Sequence, residues 1–299
     1  MEYFLEILFG GLTRGSIYAL IALGYTMVYG IIELINFAHG EIYMIGAFTG
    51  LIIAGVLGAA GFPAAAIFVL AILGAVLYSA AYGYTIEKIA YKPLRGAQRL
   101  SPLISAIGMS IFLQNYVMLA QTSDFLPFPS LIPEFKVPWI GHIISSSELI
   151  IVVVTILVCI GLTLFIKFTR LGKAMRATAQ NRKMAMLVGI NVNTVISATF
   201  VVGSSLAAVG GVLIASHIGQ INYYIGFIAG IKAFTAAVLG GIGSVPGAML
   251  GALILGQTEA FATGYVSSDY EDVFAFALLV LILIFRPAGI MGKEPVQKV

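Results

Sequence analysis

Three polar residues with chemically useful side chains sit close together in an otherwise apolar part of the chain. The stretch INFAHGE, residues 35–41, holds Asn36, His39 and Glu41 between long hydrophobic runs. An amide, an imidazole and a carboxylate could bind a metal, move protons, line a polar pathway or satisfy the backbone of a tight turn. A zinc hydrolase site on a helix needs two histidines four residues apart with a glutamate between them. His39 has no such partner in the sequence, which argues against a metal enzyme.

The composition places these residues in a membrane. The chain has 299 residues, of which 60% are hydrophobic and 10% are charged, whereas a soluble domain has roughly 25% charged residues. The mean hydropathy is +1.03. We therefore predict an all-α, polytopic integral membrane protein that forms a single domain over residues 1–299. The one cysteine, Cys159, cannot build a disulfide framework or a cysteine metal cluster.

Apolar runs of membrane-spanning length divide the chain. A helix needs about 20 apolar residues to cross the hydrocarbon core. The candidate spans are residues 15–32, 42–60, 66–88, 102–121, 148–167, 195–216, 226–240, 247–263 and 272–286. This pattern predicts nine spans, with eight as the alternative. Residues 3–12 are predicted to form a separate amphipathic or interfacial start.

The basic residues predict the orientation, because cytoplasmic loops of membrane proteins are enriched in lysine and arginine. Thirteen of the 16 fall in three clusters: Lys88 to Arg99, Lys167 to Lys183, and a tail with Arg286, Lys293 and Lys298. The loops at 122–147 and 265–271 contain few basic residues, Lys136 among them. The N-terminus is therefore predicted to lie outside and the C-terminus in the cytoplasm.

Two glycine-containing breaks interrupt the apolar segments. The first is residues 35–41, and the second is in LGGIGSVPGAMLG, residues 239–251. Interrupted segments are the best sequence pointer to a transport site, although helix packing through G-x-x-x-G steps explains the second break equally well. A packed turn is likewise the alternative for the first. The candidate pathway-lining residues are Asn36, His39, Glu41, Gly240, Gly241, Gly243 and Ser244.

Two ionisable residues lie inside the last predicted spans. Lys232 is in the span 226–240 and Glu259 is in the antiparallel span 247–263. Counted from the outer ends of their spans, they lie at similar depths of about 9 and 6 Å. Because an ionisable group in lipid usually pairs or faces a cavity, we predict an intramembrane ion pair. The alternative is that each side chain reaches the interface separately.

The basic segment 167–190, KFTRLGKAMRATAQNRKMAMLVGI, is predicted to be a short amphipathic helix in the cytoplasm. It is rich in helix formers and is followed by Gly189, a typical residue just past a helix end. Met175, Ala179, Ala185 and Met186 fall near one face. Such a helix could rest on anionic lipid or dock on a partner protein. The chain has no phosphate-binding loop of the G-x-x-x-x-G-K-[ST] type, so ATP hydrolysis would have to occur on another subunit.

Three long stretches resemble a known family. GSIYALIALGYTMVYGIIELINFAHGEIYMIGAF (15–48), SAIGMSIFLQNY (105–116) and YIGFIAGIKAFTAAVLGGIGSVPGAMLGALILG (224–256) are similar to the LivH-type permease of bacterial branched-chain amino acid ABC importers. The similarity covers nearly the whole chain. It implies a non-enzymatic permease domain in the bacterial inner membrane that translocates branched-chain amino acids.

The resemblance also implies partners. These are a second, different permease chain, two ATPase subunits that bind ATP and Mg, and an extracytoplasmic amino-acid-binding protein, with no cofactor in this chain and no nucleic acid. By the same resemblance, residues 171–190 are the segment that contacts the ATPase, with Ala177, Ala179, Ala185 and Gly189 as candidate contacts. The usual Glu-Ala-Ala start is replaced here by Ala177-Thr178-Ala179.

Several alternatives remain open at this stage. Related permeases carry urea, amides or other amino acids. A stand-alone secondary transporter or channel would require buried acidic pairs for ion coupling, and the spans contain few acids. An intramembrane enzyme would require a nucleophile beside a base, and no such pair is visible in the sequence.

Overall fold

The computed structural model describes residues 2–98, 100–132 and 144–292. Within these ranges the chain is almost entirely helical, as the composition predicts, with one pair of two-residue strands. Several residues used in the charge argument lie outside the described residues. They are Arg99, Lys136, Lys293 and Lys298.

Eleven α-helices and two short strands follow one another in the described part of the chain. They are α1 (Glu2–Ile32), α2 (His39–Ala59), α3 (Ala64–Ile86), α4 (Leu100–Ala120), β1 (Leu126–Pro127), α5 (Ser146–Phe168), α6 (Arg170–Gln180), α7 (Arg182–Leu187), α8 (Val192–Ile218), β2 (Gln220–Ile221), α9 (Ile225–Gly240), α10 (Val245–Tyr265) and α11 (Glu271–Phe285). A π-helical turn (Glu87–Tyr91) and a 3-10 turn (Lys92–Leu94) extend α3, and another 3-10 turn (Ser268–Tyr270) precedes α11.

The length and hydropathy of the helices give fewer candidate spans than the sequence predicts. Six helices in the described ranges are long and apolar enough to cross a membrane: α1, α2, α3 with its extension, α4, α5 and α8. The helices α9 and α10 meet the same test only as a pair, which is bent by 119°. By length and hydropathy the described residues thus give six candidate spans, or seven with that pair, where the sequence predicts nine or eight. The start of α9 and the end of α10 lie at the same end of the bundle, so the pair folds back as a helical hairpin. With 15 residues, α11 is shorter than the helix of about 20 residues that a full crossing requires.

The N-terminal residues 3–12 are not a separate interfacial segment. They form the first turns of the 31-residue helix α1, which packs along α10. The hydroxyl of Tyr3 donates to the carbonyl of Gly264 at 2.5 Å, and Gln257 Nε2 donates to the carbonyl of Leu8 at 2.8 Å. These contacts with α10 hold the start of α1 inside the bundle.

The helix ends form two opposite groups. At one end, Arg182 Nε donates to the carbonyl of Ile31 at 2.6 Å, Arg95 bonds to Asn193, and Ile290 N donates to the carbonyl of Leu239 at 2.9 Å. This end therefore collects α6, α7 and the described basic residues of all three clusters, and we call it the basic end. The opposite end carries the start of α1, the end of α10 and the strand pair.

The buried centre consists mainly of α1 and α8. Along their membrane-length windows 83% and 72% of the residues are buried, compared with 22% for α3, α4 and α5. The outer helices consequently expose large apolar side chains such as Leu77, Leu119 and Leu157. In water such a surface would be a large apolar patch, whereas in a membrane it faces lipid or another apolar chain.

Candidate functional site

The break between α1 and α2 brings the first group of candidate residues into the packed interior. Glu33 has a positive φ of 53°, which turns the chain back from the basic end. Asn36, His39 and Glu41 are each at most 1% exposed. They line neither of the two cavities described below, although all three lie in the packed interior of the bundle.

Each of these three side chains has neighbours on a different helix. The hydroxyl of Tyr91 donates to Asn36 Oδ1 at 2.9 Å, and the ring of His39 lies 4.8 Å from that of Tyr25, centroid to centroid. Glu41 Oε1 accepts hydrogen bonds from Ser110 Oγ and Gln114 Nε2, both at 2.8 Å. Among the described residues, His39 Nε2 and Glu41 Oε2 lack a hydrogen-bond partner. The cluster thus has polar capacity that its own packing does not use.

At the centre of the molecule, helices contact one another through backbone atoms at glycine positions. Gly40 packs directly on α9, so that a Cβ atom at Gly40 would collide with the carbonyl oxygen of Gly226. On the other side, a Cβ at Gly24 would collide with the His39 ring. Glycine at these positions lets three helices approach more closely than any other residue permits. This contact is called the glycine plug below and comprises Gly24, His39, Gly40, Gly226 and Gly230.

The second break, between α9 and α10, lies at the basic end. Gly241 and Gly243 have positive φ values of 103° and 94°. Ser244 caps α10, since its Oγ accepts from Gly247 N at 3.2 Å. Gly240 and Gly241 are covered by residues 289–292 of the C-terminal segment. The structure does not bring Gly240, Gly241, Gly243 and Ser244 together with Asn36, His39 and Glu41 around a common cavity.

A cavity of about 460 Å³ opens at the opposite end, between α1, α8 and α9. We call it the outer cavity. Much of its wall is aliphatic and consists of Ile17, Ile214, Ile218, Ile221, Ile225 and Ile228. Three charged side chains also line it: Arg14, Lys232 and Glu271. Tyr43 and Ala229 also line it, and they lie three residues and one residue along their helices from Gly40 and Gly230 of the glycine plug.

Lys232 is the centre of a charged cluster beside this cavity. Its Nζ lies 3.3 Å from Glu259 Oε1, 2.9 Å from Glu271 Oε1 and 2.8 Å from Asp272 Oδ1. Arg14 Nη1 lies 2.9 Å from Glu271 Oε2, and the hydroxyl of Tyr18 donates to Glu259 Oε2 at 2.6 Å. The structure thus brings Lys232 and Glu259 together, within a larger network.

Most of that network is not predicted from the sequence. The predicted ion pair comprises only Lys232 and Glu259, without Arg14, Glu271 or Asp272. All three are close to predicted span ends on that side, which is the signal that could have grouped them. Their actual contacts depend on where α11 starts, and a hydropathy pattern does not give that position.

A smaller pocket of about 150 Å³ lies at the basic end. Its lining includes Ile32, Tyr91, Arg95, Arg182 and Ile196. Along α1, Ile32 is 14 residues from Tyr18 of the outer cavity, or about 21 Å. Along α8, Ile196 is 18 residues from Ile214, or about 27 Å. The two cavities therefore lie at opposite ends of the same helices, with the glycine plug between them.

The basic segment 170–187 consists of two helices, not the predicted single one. They separate at Asn181, which has extended backbone angles and whose Oδ1 caps α7 by accepting from Met184 N at 3.0 Å. The predicted common face is also wrong, because Met175 and Ala185 are buried whereas Ala179 and Met186 are exposed. After α7, Gly189 has a φ of 85°, and Ile190 N donates to the carbonyl of Ala185 at 3.0 Å. This is the Schellman ending expected of a C-terminal glycine.

Comparison with known proteins agrees with this architecture. Residues 7–283 match the family model described as "Branched-chain amino acid transport system / permease component". The chain is 55% identical to the high-affinity branched-chain amino acid transport system permease protein BraD of Pseudomonas aeruginosa, over 99% of this chain and 98% of that protein. It is 52% identical to the corresponding permease protein LivH of Escherichia coli, with the same coverage. A more distant relative is the fructose import permease protein FruG of Bifidobacterium longum, which is 23% identical over 86% of this chain and 76% of that protein.

The similarities to BraD and LivH extend over almost the full length of both proteins, so they concern the whole fold and not one motif. They place the chain among transport permeases rather than enzymes. Together with the apolar helical bundle and its two cavities, they identify a multi-pass membrane protein of the transport class. The chain belongs to the family of permease components of branched-chain amino acid transport systems.

Proposed function

We propose that this chain is one permease subunit of a bacterial inner-membrane ABC importer that moves branched-chain amino acids. The observation that carries the proposal is the pair of cavities at opposite ends of α1 and α8, separated by the glycine plug. Two cavities separated by a packed barrier are expected of a transport pathway that is closed at its middle. The relatives' names supply the substrate class.

The proposed orientation puts the basic end in the cytoplasm. This end carries nine basic residues: Lys88, Lys92, Arg95 and the six from Lys167 to Lys183. Cytoplasmic loops of membrane proteins are enriched in such residues. The C-terminal segment returns to the same end through its bonds to Leu239 and Gly240. The C-terminus is then cytoplasmic and the outer cavity faces the side from which a binding protein would deliver the amino acid.

The proposed partners are a second permease chain, two ATP-binding subunits that hold ATP and Mg, and an extracytoplasmic amino-acid-binding protein. In this arrangement the coupling segment 171–190, which contains α7 and nearly all of α6, docks on an ATPase subunit. An exposed apolar patch supports docking: Met184, Met186, Leu187 and Val188 all point away from the bundle. A contiguous apolar surface beside basic residues is typical of a helix that fits into a groove on a partner.

The glycine plug is proposed to be the barrier of the pathway, with Asn36, His39 and Glu41 at its edge. Their unused hydrogen-bonding atoms are buried here and become useful when the helices separate and water or substrate enters. Alternating access requires two arrangements of the bundle that differ in which cavity reaches the centre. The close backbone contacts of Gly40 with Gly226 and Gly230 belong to the closed arrangement.

Reconstitution tests this function directly. The chain is co-expressed with its genomic partner permease and ATPase subunits, purified in detergent, and placed in liposomes with the binding protein. We expect uptake of labelled L-leucine that requires MgATP and continues when ion gradients are collapsed. Uptake that follows an ion gradient and ignores ATP would instead identify a secondary transporter.

A further inference from the structure

We propose that the outer cavity is itself a recognition site for a zwitterionic amino acid with a branched aliphatic side chain. This inference rests on the proposed function, since it takes the outer cavity as part of the pathway. It goes beyond that function by giving the permease a selective site of its own, in addition to the selection made by a binding protein.

The wall of the cavity matches an aliphatic side chain. Six isoleucines line a space of about 460 Å³, which lies within the roughly 300–1,000 Å³ typical of small-molecule sites. Burying a branched aliphatic group against such a wall removes apolar surface from water and is favourable. A sugar or urea has no branched aliphatic group to bury against these isoleucines and would gain less from this part of the wall.

The charged side of the cavity matches the other end of an amino acid. Among the described residues, both hydrogen bonds of Arg14 start from Nη1, to Glu271 and Thr263. The remaining guanidinium N–H groups can therefore donate to a carboxylate. Glu271 is still partly exposed, at 29% of its side chain, and can accept from an ammonium group while it keeps its bonds to Lys232 and Arg14.

The charge balance disfavours a ligand that is only an anion. Two cations, Arg14 and Lys232, face three carboxylates, those of Glu259, Glu271 and Asp272. With all five groups ionised, the cluster has one negative charge in excess. A zwitterionic amino acid leaves that net charge unchanged, because its ammonium lies beside Glu271 while its carboxylate meets Arg14. A carboxylate without an ammonium would raise the excess to two negative charges.

The test measures binding to the assembled permease–ATPase complex in nanodiscs without any binding protein, by scintillation proximity with tritiated L-leucine. We expect saturable binding that unlabelled L-leucine displaces. Leucinamide, which lacks the carboxylate, and 4-methylpentanoate, which lacks the ammonium, should each compete about tenfold or more weakly, because each loses a charge-assisted hydrogen bond. Glycine, which lacks the aliphatic group, should also compete poorly.

Two substitutions of Ile228, in the cavity wall, test whether the cavity selects the ligand, because a purely structural role would not change which amino acid is preferred. Ile228 lines the cavity and is 39% exposed, so a larger side chain fits without disturbing the core. Ile228→Phe should abolish leucine binding by filling the space, and Ile228→Ala should shift preference from valine towards phenylalanine. Val280→Phe, on an exposed face of α11 away from the cavity, is the matched control and should bind leucine normally.

The outcomes separate this inference from the proposed function. Absence of leucine binding in nanodiscs, with normal ATP-driven uptake once the binding protein is added, overturns the inference and leaves the transport function standing. Equal competition by leucinamide and 4-methylpentanoate, or normal binding by Ile228→Phe, also overturns it. If the unmodified complex took up no leucine under any condition, that result would instead refute the proposed function itself.

Discussion

The ammonium of Lys232 lies 3.3 Å from Oε1 of Glu259, and both side chains are almost fully buried. Glu259 depends on this contact more than Lys232 does. Lys232 also contacts Glu271 and Asp272, whereas Lys232 is the only cation within ion-pair distance of Glu259 in the described part of the chain. The pair is therefore unequal, and removing one partner should not be equivalent to removing the other.

Lys232→Met should destabilise the protein much more than Glu259→Gln. The first change leaves a fully buried carboxylate without a cation, which typically costs about 3–5 kcal/mol. The second leaves Lys232 paired with two carboxylates and keeps an oxygen that can accept from Tyr18, so we expect a loss of about 1 kcal/mol. The measurement is the free energy of unfolding of the purified chain in mixed micelles, titrated with SDS.

The double variant provides the control for that comparison. Lys232→Met with Glu259→Gln removes both charges of the pair, and it should recover part of the stability that Lys232→Met loses alone. Strictly additive losses would show that the two side chains do not interact, and equal losses in the single variants would show that Glu271 and Asp272 contribute nothing to holding Lys232.

This pair also shows how far the sequence alone can go. Residue counts along two antiparallel apolar runs were enough to predict that Lys232 and Glu259 meet, because depth scales with residue number in a helix. They could not predict Glu271 and Asp272 as further partners, since those contacts depend on the 3-10 turn before α11. Likewise, α2 to α5 and α8 begin and end within three residues of the predicted spans. The 119° bend between α9 and α10 depends on the backbone angles of Gly241 and Gly243, which hydropathy does not report.

The glycine plug gives a second prediction, on Gly40. Gly40→Ala inserts a methyl group against the carbonyl of Gly226, and backbone cannot move aside as a side chain can. We expect a loss of about 1–3 kcal/mol from overpacking, together with impaired transport in the assembled complex. Apparent melting temperature in detergent and leucine uptake in liposomes are the two measurements.

The matched control for Gly40 lies on the same helix. A Cβ at Gly55 would meet nothing within 4 Å, so Gly55→Ala should leave stability and uptake unchanged or slightly improve stability through better helix propensity. If Gly40→Ala behaved like Gly55→Ala, α2 and α9 would not be in backbone contact and the plug could not act as the barrier.

A third prediction concerns access to the first break. Single cysteines at Asn36, His39 and Glu41, in a Cys159→Ser background, should resist small water-soluble thiol reagents in the state described here, because these positions are at most 1% exposed. Cysteine at Ile228, in the wall of the outer cavity, should react in the same state. The readout is the labelled fraction by mass spectrometry on the assembled complex.

Nucleotide supplies the second half of that experiment. On addition of a non-hydrolysable ATP analogue, at least one of the three positions should become reactive if the plug opens during the cycle. Protection of all three in every nucleotide state would make the break a packed turn with no part in translocation, and would move the pathway to another face of the chain.

The coupling segment gives the last prediction, and here the structure changes which residue to test. Among the candidates from sequence, Ala185 is only 3% exposed, so a large side chain at that position would disrupt the packing of α7 before it affected docking. Leu187 and Val188 are 80% and 74% exposed at the end of α7. Leu187→Asp should therefore leave the chain folded while it removes apolar contact and adds charge at the proposed ATPase interface. We expect the complex to assemble less well, or to hydrolyse ATP without importing leucine, as measured by co-purification and by the ratio of uptake to hydrolysis.

The matched control is Lys183→Asp, which changes the charge of an exposed residue on the same short helix and should affect coupling less. Leu119→Asp is not a suitable comparison, because it would put a charge on a lipid-facing helix. Normal coupling in Leu187→Asp would show that the apolar patch faces lipid headgroups instead of a partner.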